Sequence, residues 1–200
     1  MKRLLASRLF KLGAMLAVLP AAAFAHPGHD GGHDLTWDFS GGFAHPLGGL
    51  DHLLAMITVG LWAAQVGGRA RWLVPAVFVG MLSLGAFAAQ RGMAPAATEQ
   101  LIAASLLALG LMVVMGKQLP FGLGVVLTAL FGAFHGFAHG SEIPDSSGGF
   151  SYALGFVTAT ILLHCAGLTL GSIQTSRFNN WAKTAGVGVA TVGAVMLVAS

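Results

Sequence analysis

The sequence predicts an all-α protein that crosses a membrane six times, and three observations carry that expectation. Of its 200 residues, 56% are hydrophobic and 8% charged, whereas a soluble domain carries about a quarter charged residues. The apolar residues gather into stretches of roughly 20, the length a helix needs to cross about 30 Å of hydrocarbon. Within these stretches apolar and polar residues do not alternate at period two, and backbone groups in lipid must be satisfied inside each segment, so helices are favoured over a barrel. The 29 glycines suit helices whose backbones approach closely through small faces.

Residues 1–25 read as a secretory signal: Lys2, Arg3, Arg8 and Lys11 lead an apolar run, and Ala23-Phe24-Ala25 ends it. Cleavage after Ala25 removes four basic residues and no acid, which moves the formal net charge from +3 to −1. The basic pI of about 9.5 therefore belongs mostly to the signal, and nothing in the mature chain favours nucleic acid as a partner. A His/Asp-rich head is expected over 26–42 and a six-helix transmembrane domain over 43–200. Its spans are expected at 43–66, 72–90, 98–116, 121–140, 150–173 and 181–198.

The loops orient these spans. The first, third and fifth hold Arg69, Arg71, Lys117, Arg177 and Lys183 without an acid, which marks them as cytoplasmic. The opposite side holds Asp30, Asp34, Asp38, Glu99, Glu142 and Asp145 against Arg91. The signal places the mature amino terminus outside, and six spans return the carboxyl terminus to the same side. Trp37, Trp72 and Trp181 read as interfacial anchors. Cys165, the one cysteine, cannot form an internal disulfide and is expected to be a small buried residue.

Two spans carry ionisable groups where lipid makes them expensive. The first opens with His45-Pro-Leu-Gly-Gly-Leu-Asp51-His52, and the fourth closes with Phe134-His135-Gly-Phe-Ala-His139-Gly-Ser-Glu142-Ile-Pro144. The first span runs inward and the fourth outward, so both motifs fall on the outer side. On straight helices Asp51 and His52 lie about 12 to 14 Å inside the first span, and His135 about 7 to 8 Å inside the fourth. His135 and His139 are four apart on one helical face, with Glu142 three further on the same side. That is metal-ligand spacing.

His45 and His52, seven apart, would be separated by about 10 Å on a regular helix. Pro46, Gly48 and Gly49 make an irregular start plausible, which brings them together or leaves them as successive stations. Asp51 is a candidate to take the second ring proton of a ligating imidazole. Glu99 adds charge to the mouth or is simply a first-turn acid. His164, about 21 Å into the fifth span, is a deeper station or a core histidine, and His26, His29 and His33 gather ions or form a solvated tail. Met56, Met112 and Met115 read as packing. Gly42-Phe-Ala-His45 recurs as Gly136-Phe-Ala-His139, which raises a three-plus-three inverted repeat.

The sequence contains no P-loop, no His-Glu-x-x-His and no Gly-x-Ser-x-Gly, so an ATP-driven pump or an enzyme of those types is not expected. No prosthetic group is implied. A permease, an intramembrane metalloenzyme and a metal-binding sensor or scaffold all use such residues. Imidazole suits zinc, copper, iron and nickel alike.

Taken together, His45-Pro-x-x-Gly-x-Asp51-His52-x-x-Ala-Met-x-x-Val-Gly-x-Trp62-Ala, Gly67-Gly-Arg-Ala, Phe134-His135-Gly-x-Ala-His139-Gly-x-Glu142-x-Pro144, Gly155-Phe-x-x-Ala-Thr and Leu163-His164 resemble the HupE/UreJ family of hydrogenase and urease accessory proteins. The resemblance covers nearly all of the mature chain. It implies a bacterial inner-membrane permease that brings nickel or cobalt from periplasm to cytoplasm for hydrogenase or urease maturation, with cytoplasmic nickel-handling proteins as partners. It implies His45, Asp51, His52, His135, His139 and Glu142 as the residues that meet the ion.

Overall fold

The computed structural model describes residues 36–93, 95–141, 143, 147–173 and 176–200. Among them the fold is seven α-helices and one 3-10 turn, without a strand. The helices are α1 (Phe39–Gly48), α2 (Leu50–Val66), α3 (Ala70–Gln90), α4 (Thr98–Met115), α5 (Phe121–Gly140), α6 (Ser147–Gly171) and α7 (Ser176–Ala199), with the 3-10 turn Gly116–Gln118 after α4. The five helices α3 to α7 are each long and apolar enough to cross a membrane. The pair α1 and α2 is apolar enough only when taken together and is bent by 84° at the break between them, so the count is five spans, or six with this pair as a broken one. The expected signal, the head segment with His26, His29 and His33, and Glu142 lie outside the described residues.

Local chemistry sets the ends. Asp38 starts α1, four residues ahead of the expected first span, by accepting from the Gly41 amide at 2.8 Å and the Ser40 hydroxyl at 2.7 Å. These bonds, the Ser40 hydroxyl foremost, hold its carboxyl below the ordinary aspartate value. Gly67 ends α2 with φ +80, a conformation in which a side chain would be strained. Arg69 in the following turn lies 4.8 Å over the Phe121 ring at the start of α5. The two loops expected on the cytoplasmic side, with Arg69 and Lys117, thus meet at one end of the bundle.

The hub is α2, packed against α3, α4 and α6. Its residues from Thr58 to Ala64 are buried without interruption, as expected of a helix that is apolar all round. Trp62 is fully buried, and its indole N–H donates to the Gly116 carbonyl at 3.2 Å. Outside this hub α3 lies along α5, α4 along α7, and α1 on α6. The outward faces carry large apolar residues such as Trp72, Leu84, Phe87 and Phe150, the surface a lipid-facing bundle presents. Trp72 and Trp181 are exposed as expected of anchors, whereas Trp37 is half-buried with its ring 5.1 Å from that of Tyr152. Cys165 is a correction: it is exposed on α6. Consecutive helix residues are about 100° apart, and it is its neighbour His164 that turns inward.

Glycine makes the close packing possible. A methyl group on Gly136 of α5 would strike the Leu82 carbonyl and Ala86 amide of α3, and one on Gly60 of α2 would strike the His164 carbonyl of α6. Without a hydrophobic drive between helices in lipid, such approaches supply the dispersion contact that holds a bundle together. Gly136→Leu should therefore destabilise the bundle by about 1–3 kcal/mol, the usual cost of overpacking. Gly188→Ala, which meets nothing within 4 Å, should be neutral or stabilising by up to about 1 kcal/mol. Thermal unfolding of both variants in detergent checks the contrast.

Candidate metal-binding site

The break between α1 and α2 creates the site. Pro46 offers no amide to the α1 ladder, and Gly48-Gly49 has little helical preference. Gly49 is extended, with φ −89 and ψ 120, and α2 restarts beyond it. The reckoning of depth along a straight first span therefore does not hold, because α1 turns almost at right angles to α2. The turn carries His45 back over the start of α2, where its ring centroid lies 5.8 Å from that of His52. On a regular helix the pair would be about 10 Å apart.

The end of α5 meets this turn. His139 brings its ring within 4.8 Å of His45 and 4.5 Å of His52, while His135, one turn deeper, is 5.4 Å from His52. Nε2 of His52 and Nε2 of His139 are hydrogen-bonded to each other. The α5 helix stops at Gly140, and Glu142 lies beyond it, outside the described residues. Phe156 of α6 walls the cluster at 5.6 Å from His45 and 5.3 Å from His139. Tyr152, one turn earlier on α6, hydrogen-bonds through its hydroxyl with His45 Nδ1 at 2.7 Å. Sequence reasoning missed both residues. The signal was present, for Tyr152 is the one tyrosine of the chain and lies four residues before Phe156.

Asp51 has a narrower place than that of a direct ligand. Its Oδ1 accepts the His52 ring proton at Nδ1 (2.8 Å) and the His52 backbone amide (2.9 Å). Both residues are buried, at 3% and 5% exposure. A carboxylate left unpaired there would cost several kcal/mol. Paired, it fixes the imidazole tautomer and turns the Nε2 lone pair toward the cluster. His135 is set the same way by donating Nδ1–H to the Phe131 carbonyl at 2.8 Å, and His164 by donating to the Met56 carbonyl at 2.8 Å. The last bond crosses from α6 to α2. At about 1 kcal/mol it orients His164 more than it holds the helices.

Burial grades inward. His45 and His139 are partly exposed, and His52, His135 and His164 are buried. Glu99 is exposed in the first turn of α4. Among the described residues no three imidazole, thiolate or carboxylate groups form a ready cage around one point. Three of the rings at the break are instead engaged by protein partners: His52 Nε2 and His139 Nε2 with each other, and His45 Nδ1 with Tyr152. A divalent ion seated between His52 and His139 would take the place of the proton between their Nε2 atoms, and a neutral His139 would then carry that proton on Nδ1.

The comparisons with known proteins agree over most of the chain. The family described as HupE / UreJ protein matches residues 14–196. Over 181 residues the chain is 37% identical to Protein HupE of Rhizobium leguminosarum bv. viciae, an overlap of 90% of this chain and 92% of that protein. No solved structure matches.

A Cβ on Gly49 would come to 2.9 Å from Asp51 Oδ1 and 3.1 Å from His52 Nδ1. Gly49→Ala should displace that pair and weaken divalent-ion binding by about tenfold, the scale of an outer-shell change. Because the φ of Gly49 is one alanine adopts, thermal stability should change little. Cobalt titration followed by absorbance, with unfolding measured in parallel, checks both halves.

Proposed function

The chain belongs to the HupE/UreJ family, and on that premise we propose that it is a permease carrying nickel, or cobalt, across the bacterial inner membrane from periplasm to cytoplasm. The observation that supports this most directly is the convergence of His45, His52 and His139, from two spans, at the open end of a series of imidazoles that continues inward. A resident cofactor is better served by a closed cage. A moving ion needs donors that replace its water gradually and release it again.

In this reading the ion is cargo and no prosthetic group is involved. His45 and His139 receive it at the mouth, His52 takes it with its ring held in place by Asp51, and His135 draws it inward. Glu142, Glu99 and the histidines of the head, His26, His29 and His33, gather cations ahead of the ring. The termini lie in the periplasm. Cytoplasmic nickel-handling proteins receive the ion for hydrogenase or urease maturation, and the chain itself carries out no catalysis. An inside-negative potential favours inward movement of a doubly charged ion by about 4.6 kcal/mol per 100 mV, enough to drive uptake without ATP.

Proteoliposomes containing only this protein should accumulate nickel, faster with an inside-negative potential. His52→Ala and His139→Ala should each cut the initial rate by about tenfold or more while eluting as the parent does. Tight stoichiometric binding without influx would instead favour a sensor or a metalloenzyme. Ligating imidazoles must be neutral, and the ordinary histidine value is about 6.5. Initial rates should accordingly fall as the external pH drops below roughly 6, and a flat profile to about pH 5 would argue against imidazole ligation in the slow step.

A further inference from the structure

Inward of the ring, the buried polar atoms with no hydrogen-bond partner among the described residues include His135 Nε2, His164 Nε2 and Thr160 Oγ1. Their residues are at most 1% exposed. Leaving a polar atom unpaired at such depth is costly, and neighbouring threonines show a cheaper arrangement. Thr128, Thr158 and Thr169 turn their hydroxyls back onto the carbonyl four residues earlier, whereas Thr160 does not. His164 spends Nδ1–H on the Met56 carbonyl, which leaves a lone pair on Nε2. Thr160 and His164 are four apart on α6 and so share a face.

Their depth follows from the same bond. Met56 is one turn beyond His52 on α2, so His164 lies about 6 Å further in than the ring. The Phe78 ring of α3 neighbours both imidazoles, with its centroid 5.6 Å from His135 and 5.2 Å from His164. We infer that His164 and Thr160 form a second, inner station for the divalent cation, which passes to it from His135 past the Phe78 ring. This rests on the permease reading. It adds a distinct binding place with an imidazole nitrogen and a hydroxyl oxygen as donors. Two stations at this spacing allow an arriving ion to displace the one ahead of it.

The test uses His164→Asn, whose side-chain amide can still donate to the Met56 carbonyl but offers no Nε2. Equilibrium dialysis of the full chain against nickel chloride should show about one ion per chain fewer than the parent, with binding at the ring retained. Influx into proteoliposomes should fall by about tenfold or more. If His164→Asn is not monodisperse, Thr160→Val, of nearly the same volume, should slow influx and weaken the second binding event. A folded His164→Asn with the parent's stoichiometry and influx would overturn the inner station and leave His164 as a tie between α6 and α2. So would unchanged influx in Thr160→Val. Absence of nickel influx in the parent chain overturns the permease reading and the station with it, and is read before any variant is made.

Discussion

Where α1 gives way to α2 the helical ladder is interrupted and the chain turns through 84°, and one end of the molecule is arranged around that turn. A straight helix would hold His45 and His52 at opposite ends of two turns. The break folds His45 over the start of α2, puts Asp51 in the first helical turn where a carboxylate is favoured, and leaves room for the end of α5 to close against both. Irregular backbone is tolerated at membrane depth only when protein or a polar cavity covers it. Here α6 provides that cover through Tyr152 and Phe156.

A second regularity runs through the buried imidazoles. His52, His135 and His164 each commit Nδ1–H to an oxygen, respectively a carboxylate, a carbonyl of the same helix and a carbonyl of a neighbouring helix. The chemical consequence is shared, since Nε2 keeps its lone pair and its direction. The oxygen differs because the helix positions differ. Asp51 is available beside a helix start, Phe131 lies one turn back on α5, and Met56 is reachable because glycine brings α2 and α6 close together.

The four-residue echo acquires a structural meaning from this packing. Gly42 lies against the Tyr152 backbone of α6 and Gly136 against the Leu82 backbone of α3. Three residues beyond each, a histidine enters the ring cluster, and these two rings are 4.8 Å apart. Each copy of the motif thus does the same two things, closing one helix onto another and presenting one imidazole. Whether the halves superpose as a repeat is a separate matter from this local equivalence.

Much of the architecture was legible in the sequence because lipid leaves few choices. Composition and span length gave an all-helical membrane bundle, and Pro46 with Gly48-Gly49 marked the irregular start. The pairing of His135 with His139 on one face followed from helical spacing, and the meeting of the two motifs at one end of the bundle followed from the opposite directions of their spans. What the tertiary structure alone decided was which groups meet: Asp51 on its own neighbour's ring, Tyr152 and Phe156 around His45, Phe78 beside both His135 and His164, and Cys165 facing out. Periodicity specifies the face of one helix but not the rotation of that helix against the next. In this bundle that rotation is set by where glycines let two backbones touch, a contact between residues distant in sequence.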